Sequence, residues 1–275
     1  MEAETIITYV VCDDTIKALK IKEDKQVKMS MAEAMTTAII SAILFAGNLE
    51  KARRALKSDR YIPKMLSKSQ LIRRLHKIKK EIWEAVLDKL SCELERNVPA
   101  TEFIVDSFPI PTCKLARRAR TKLYSEKKYL GYCAAKQEFF LGFKLHMISD
   151  THGNPRQYLL LPASESDIAG FRKIDLHLPK NSSLYGDKAY NDYAYEDRLI
   201  QEKQIHLMPI RKRNSKRKGI ELLARLRRKK RKMIETAFSC IEKLMPRSIH
   251  AVTKIGFELK VTFFVIAYAV SNLVF

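Results

Sequence analysis

The hydrophobic periodicity of this chain changes once, and that change limits the folds open to it. From about residue 30 to residue 96 apolar side chains recur at helical spacing. Beyond Asn97-Val98-Pro99 they run in short β-branched and aromatic blocks. A helical region followed by strands that alternate with helices predicts two domains, an all-α one over 1–98 and an α/β one over 99–275. In the first, "MSMAEAMTTAIISAILFAGN" reads as a helix closed by Gly47-Asn48, and a short basic helix, Leu49–Leu56, follows it. "SKSQLIRRLHKIKKEIWEAVLDKL" pairs Ser67 with Gln70 in a capping-box pattern. Its Leu71, Leu75, Ile78, Ile82 and Val86 share one helical face. Arg73, Arg74, Lys77 and Lys80 project from the opposite side, as in a helix-turn-helix-like DNA-binding unit.

In the second region "EFIVDSF" reads as a strand that stops at Pro109. "FFLGFKLHMISD" and "RQYLLLPA", joined by the turn signal "THGNP", form a hairpin. "SESDIAGFRKIDLHL" reads as a helix capped by Ser164 or Ser166, "SSLYGD" as a strand, "NDYAYEDRLIQEK" as a helix and "IHLMPI" as a strand. A helix over 231–245 closes the series, with Ile234, Phe238, Ile241 and Met245 on its apolar side. Three antiparallel strands followed by α/β crossovers predict a mixed sheet covered by helices.

Charge narrows the partners. The chain carries 52 Lys and Arg against 31 Asp and Glu, a net +21, which disfavours a compact chain unless an anion relieves it. The basic residues are clustered over Lys64–Lys80, over Lys114–Lys128 and over 211–232, where thirteen Lys and Arg face one acid, Glu221. That distribution favours a polyanionic partner, nucleic acid or an anionic membrane surface. Five scattered cysteines without CxxC spacing suggest neither disulfides nor zinc, and fit a reducing, cytoplasmic compartment. His146 and His152 have no partners at metal spacing and read as strand and loop residues. The apolar C-terminus, "VTFFVIAYAVSNLVF", is shorter than the ~20 residues a bilayer requires and reads as a buried core helix, not a membrane span.

Most acids here sit among Lys and Arg on helices, as solvated faces or i,i+4 partners. Two stand apart. Asp106 interrupts the apolar strand "FIVDSF", where a carboxylate costs desolvation energy unless it is paired or binds metal. Asp187 follows "SLYG" at the carboxyl end of a strand, where α/β sheets place their sites. Alone, each reads first as a turn or capping aspartate. Glu235 follows the six consecutive bases of "LRRKKRKMIETAF", and shares a helical face with Arg231 and Glu242. Three convergent carboxylates without His or Cys form a hard oxygen site suited to Mg²⁺, with Mn²⁺ as substitute, as two ions ~3.5–4 Å apart. The surrounding bases, among them Arg227, Arg228, Lys229 and Lys230, would hold DNA phosphate.

"FIVDSFPIP", "GDKAY" and "RKMIETAF", in this order, resemble the DDE transposases of bacterial insertion sequences. "GN…ARRALKSDRYIPKMLSKSQLIRRLH" is most similar to the nine-eighty-two insertion-sequence family. The resemblance runs from about residue 30 to the C-terminus. It implies an RNase H-like fold, Asp106, Asp187 and Glu235 as catalytic and metal-binding triad, and Arg231, Lys188 and Lys243 as residues that contact DNA or order the site. It also implies terminal inverted repeats and target DNA as substrates, an oligomer on DNA, and a nucleoid-associated protein. Two positions depart from the pattern. Ala189 stands where related families often carry Gly, and the seventh residue after Glu235 is Glu242, with the lysine one later at Lys243. One residue turns a side chain by about 100° on a helix, which leaves Glu242 as the alternative third carboxylate.

Overall fold

A computed structural model describes every residue except 25, 96–99, 122, 135, 212–214, 218–220 and 275, and the side chains of 221–228 also lie outside it. The Asn97-Val98-Pro99 break falls within those exceptions. Packing divides the chain into two units, residues 98–239 and residues 1–97 with 240–275.

The unit over 98–239 is built on a six-stranded mixed sheet. Its strands are β1 (Glu102–Cys113), β2 (Leu130–Cys133), β3 (Glu138–Asp150), β4 (Pro155–Pro162), β5 (Ser183–Gly186) and β6 (His206–Pro209). The order is β2-β3-β1-β5-β6, with β4 also paired to β3. The β1/β3 and β3/β4 pairs are antiparallel, and the β1/β5 and β5/β6 pairs parallel. The expected hairpin and crossovers are therefore present, in an RNase H-like arrangement. Phe103, Val105, Ile148, Leu184 and Leu207 of the sheet pack with Phe171, Tyr190, Tyr195 and Leu199 into one core. That core lies beneath helices 167–171 and 193–203.

Strand β1 does not stop at Pro109 but continues through Pro111 to Cys113. The reason is its neighbours. β5 pairs with β1 only from Glu102 to Ile104, so farther along β1 borders β3 and becomes an edge strand. An edge tolerates residues without an N–H.

The other unit is helical, with α1 (Glu2–Ala18), α2 (Met31–Phe45), α3 (Leu49–Leu56), α4 (Lys68–Lys77) and α5 (Lys80–Leu94). Helices α6 (Asp167–Phe171) and α7 (Tyr193–Lys203) belong to the sheet unit, α8 (Glu221–Leu244) runs from one unit into the other, and α9 (Lys254–Val274) ends the chain. Ser30 and Ser67 each close a capping box, with Glu33 and Gln70. The segment expected as one helix over 67–90 is two, because Ile78 and Lys79 are extended and Lys79 opens α5. The break keeps Leu71, Leu75, Ile78, Ile82 and Val86 all buried. Helix α1 carries no strong apolar stripe and was not foreseen.

Helix α9 is long and apolar enough to cross a membrane, yet most of it is buried in this unit. It packs on α2 and α5, with Trp83 and Phe263 rings 5.0 Å apart. Its Phe264 also closes over Gly47, which has φ +76°, and a Cβ there would stand 2.8 Å from the ring.

Candidate active site

The sheet register brings the two strand aspartates together. Ile104 is paired with Tyr185, so Asp106, two residues on, lies level with Asp187, the residue directly after β5. Adjacent strands are ~4.8 Å apart. Asp106 is on the β1 face that carries Glu102 and Phe108, and α8 covers that face. Phe108 stacks with Phe238 at 4.9 Å, and Lys230 pairs with Glu102. Arg231 Nε stands 3.3 Å from Asp106 Oδ2, while its terminal nitrogen donates to Glu235 Oε1 at 2.8 Å.

Arg231 thus bridges the first and third predicted carboxylates. The Asp106 side chain is 16% exposed and Glu235 53% exposed. Asp187 accepts from the Ala189 N–H at 2.6 Å, capping the short turn Lys188–Tyr190. Burial pushes the Asp106 carboxyl up to about 6; Arg231 and the Ser107 N–H oppose the shift, and Asp187 and Asp167 reinforce it. Burial, with Asp106, Asp167 and Asp187 nearby, also raises the Tyr190 phenol well above its ordinary range.

Asp167 was missed. It opens α6, where an acid reads as a helix-end residue. Here it accepts from Ser107 Oγ at 2.7 Å and Lys144 Nζ at 3.2 Å, anchoring the residue beside Asp106. His146, on the neighbouring strand, is a strand residue as expected, but a fully buried one. Burial lowers its imidazole to about 4, and its ring lies against Gly170, where a Cβ would be 2.5 Å away.

Among the described residues no three His, Cys, Asp or Glu side chains stand close enough together to hold a metal ion. The donor set still fits one. Asp106, Asp187 and Glu235 offer oxygen only, which suits a hard divalent cation. Arg231 is an imperfect counter-ion between Asp106 and Glu235, since its buried Nε finds no hydrogen-bond acceptor.

A family model described as "Transposase DDE domain" matches residues 99–270, well over half of the chain. The chain belongs to the DDE transposase family. Comparison with curated proteins and with solved structures found no match.

Within this transposase the predicted DNA-contacting residues divide. Lys188 and Lys229 are exposed beside the site. Arg73 and Lys77, on α4 of the helical unit, are solvent-exposed side chains of that unit. Lys243 and Glu242 are exposed near the end of α8, in the portion grouped with the helical unit. Arg74 is an internal residue, paired with Glu23, whose carboxylate also accepts from the Met31 N–H. Lys230 is pinned by Glu102 and lies 4.7 Å above the Tyr185 ring, and Tyr185 donates to Glu102 at 2.6 Å. The side chains of Arg227 and Arg228 fall outside the described residues. Two further bases, Arg211 and Arg217, converge on buried Glu196.

Proposed function

We propose that this transposase nicks the ends of its own element by water attack and joins the freed 3′-hydroxyl to target DNA at one site formed by Asp106, Asp187 and Glu235. The observation that carries the reading is the level placement of Asp106 and Asp187 at the end of the parallel strands, with Glu235 tethered to Asp106 through Arg231. Two Mg²⁺ ions, or Mn²⁺, would supply activation of the attacking oxygen and neutralisation of the leaving oxygen. Asp106 and Asp187 would hold them from the sheet and Glu235 from the helix. Arg231, released from its two carboxylates, is then free to hold DNA phosphate, and Lys188 and Lys229 flank the scissile strand.

Helices α3 to α5 would recognise the terminal inverted repeats through Arg73 and Lys77. The resemblance to the nine-eighty-two family supports this division between end recognition and chemistry. It also supports an oligomer that synapses two ends in the cytoplasm, on the nucleoid. Purified protein incubated with Mg²⁺, an oligonucleotide bearing the flanking element end and a target duplex tests the reading. Joined products are expected. Cleavage without joining would indicate a nuclease on the same core, and binding without chemistry a DNA-binding derivative.

A further inference from the structure

We infer that the β2–β3 hairpin is a stacking platform for unpaired DNA bases, an inference that rests on the transposase reading. Tyr132 and Phe139 are direct cross-strand partners. Their rings lie 5.1 Å apart, yet they are 50% and 58% exposed. Large aromatics so exposed on a strand pair are unusual, because each could bury substantial apolar area.

The hairpin's construction keeps them outward. Glu138, Phe139 and Phe140 pair with β2, whereas the β1 ladder on β3 begins at Leu141 and the β4 ladder at Phe143. The tip therefore extends past the sheet. Its other face is anchored: Phe140 is buried, and Gly131 lies so close to Ala163 that a Cβ would stand 2.6 Å from it. Rigid backing on one side leaves the Tyr132–Phe139 face free.

Charge identifies the occupant. From Lys114 to Glu138 the sequence has eight Lys and Arg against two Glu. The chain leaves β1 at Cys113, paired with Leu141 and so two residues from Phe139, and enters the basic turn Leu115–Arg120. Lys114, Arg117, Arg120, Lys127, Lys128 and Lys136 are all exposed. A second protein with an apolar face would meet this rim at an electrostatic cost. A DNA strand satisfies both features, phosphates on the bases of the rim and nucleobase rings on the aromatics. Strand cleavage and joining expose unpaired nucleotides at an element end, which a fully stacked duplex would not present.

The test uses the full-length protein and two oligonucleotides, a fully paired duplex and the same duplex with a single-stranded 3′ tail whose first unpaired base is 2-aminopurine. Wild type is expected to bind the tailed duplex more tightly and to change the 2-aminopurine emission on binding. Phe139→Ala and Tyr132→Ala should each weaken tailed-duplex binding about tenfold and abolish the emission change. Their thermal melts and their binding to the paired duplex should stay unchanged, and Phe139→Trp should retain the signal. Equal binding of both oligonucleotides by wild type, or an equal loss on both in the variants, overturns the platform and leaves the transposase reading intact. So does an effect of Phe139→Ala on self-association in place of tail binding. A wild-type protein that binds neither oligonucleotide removes both readings together.

Discussion

Asp106→Asn is expected to abolish cleavage and joining while making the free protein more stable. The loss of chemistry should be at least about 10³-fold, since the proposed site would lose one of its three metal-holding carboxylates in a reaction that depends on charge neutralisation. DNA binding should persist, because the basic surfaces are untouched. The stability gain follows from burial. A carboxyl raised to about 6 from its ordinary 3.8 favours the folded state when protonated, and that contribution is lost as pH rises through 6. At pH 8 the ionised Asp106 therefore costs about 3 kcal/mol, which a neutral amide of the same shape removes. His146 acts in the opposite sense. Its imidazole, held near 4 by burial, contributes stability present above the unfolded value of 6.5 and lost as pH falls below it. In wild type the two oppose each other between about pH 4 and 6, whereas Asp106→Asn leaves His146 alone. The variant should melt higher than wild type at pH 8 and lose that advantage steeply towards pH 5. Thermal melts across this range check it, and an Asp106→Asn protein that is both active and no more stable would remove the argument.

The second large effect concerns Glu196. This carboxylate is 3% exposed and accepts from Arg211 at 2.6 and 2.7 Å and from Arg217 at 3.3 Å. Both guanidinium groups also lie over the Tyr193 ring, at 5.5 and 4.9 Å, and Tyr193 shares a 2.6 Å hydrogen bond with Ser215. The start of the basic segment after β6 is thereby clamped to α7. Glu196→Ala leaves Arg211, itself largely buried, without its charge partner, a change that costs about 3–5 kcal/mol. The exposed Arg217 keeps Asp197 and adds little to that figure. Chemical denaturation should show the midpoint falling with an unchanged slope. A loss below about 1 kcal/mol would mean that the clamp is incidental.

These two sites mark what the sequence discloses and what it does not. The hairpin, the crossovers and the capping box at Ser67 follow from local patterns, and local patterns survive folding. Asp106 was legible because a charge inside an apolar strand needs a reason. Asp167 was not, because an acid at a helix start already has one. The extension of β1 through two prolines depends on where β5 ends, a non-local fact. The run at 227–232 shows the same limit. Composition reads six like charges, but Lys230 and Arg231 are neutralised by Glu102 and Asp106 across the sheet, while Lys229 and Lys232 face outward. Alternation between ion pairs and solvent removes much of the repulsion that the run implies. Arg74 and Arg211 likewise belong to internal pairs, a fate that one-dimensional charge counting does not distinguish from a DNA-facing surface.

The proposed site requires Glu235, tethered to Asp106 through Arg231, to act together with Asp106 and Asp187. The most direct measurement compares Glu235→Gln with Glu242→Gln in the Mg²⁺-dependent cleavage and joining of an element end, with DNA affinity measured alongside. Glu235→Gln should be inactive at near wild-type affinity, and Glu242→Gln should cleave and join normally. An active Glu235→Gln protein beside an inactive Glu242→Gln protein would contradict the account.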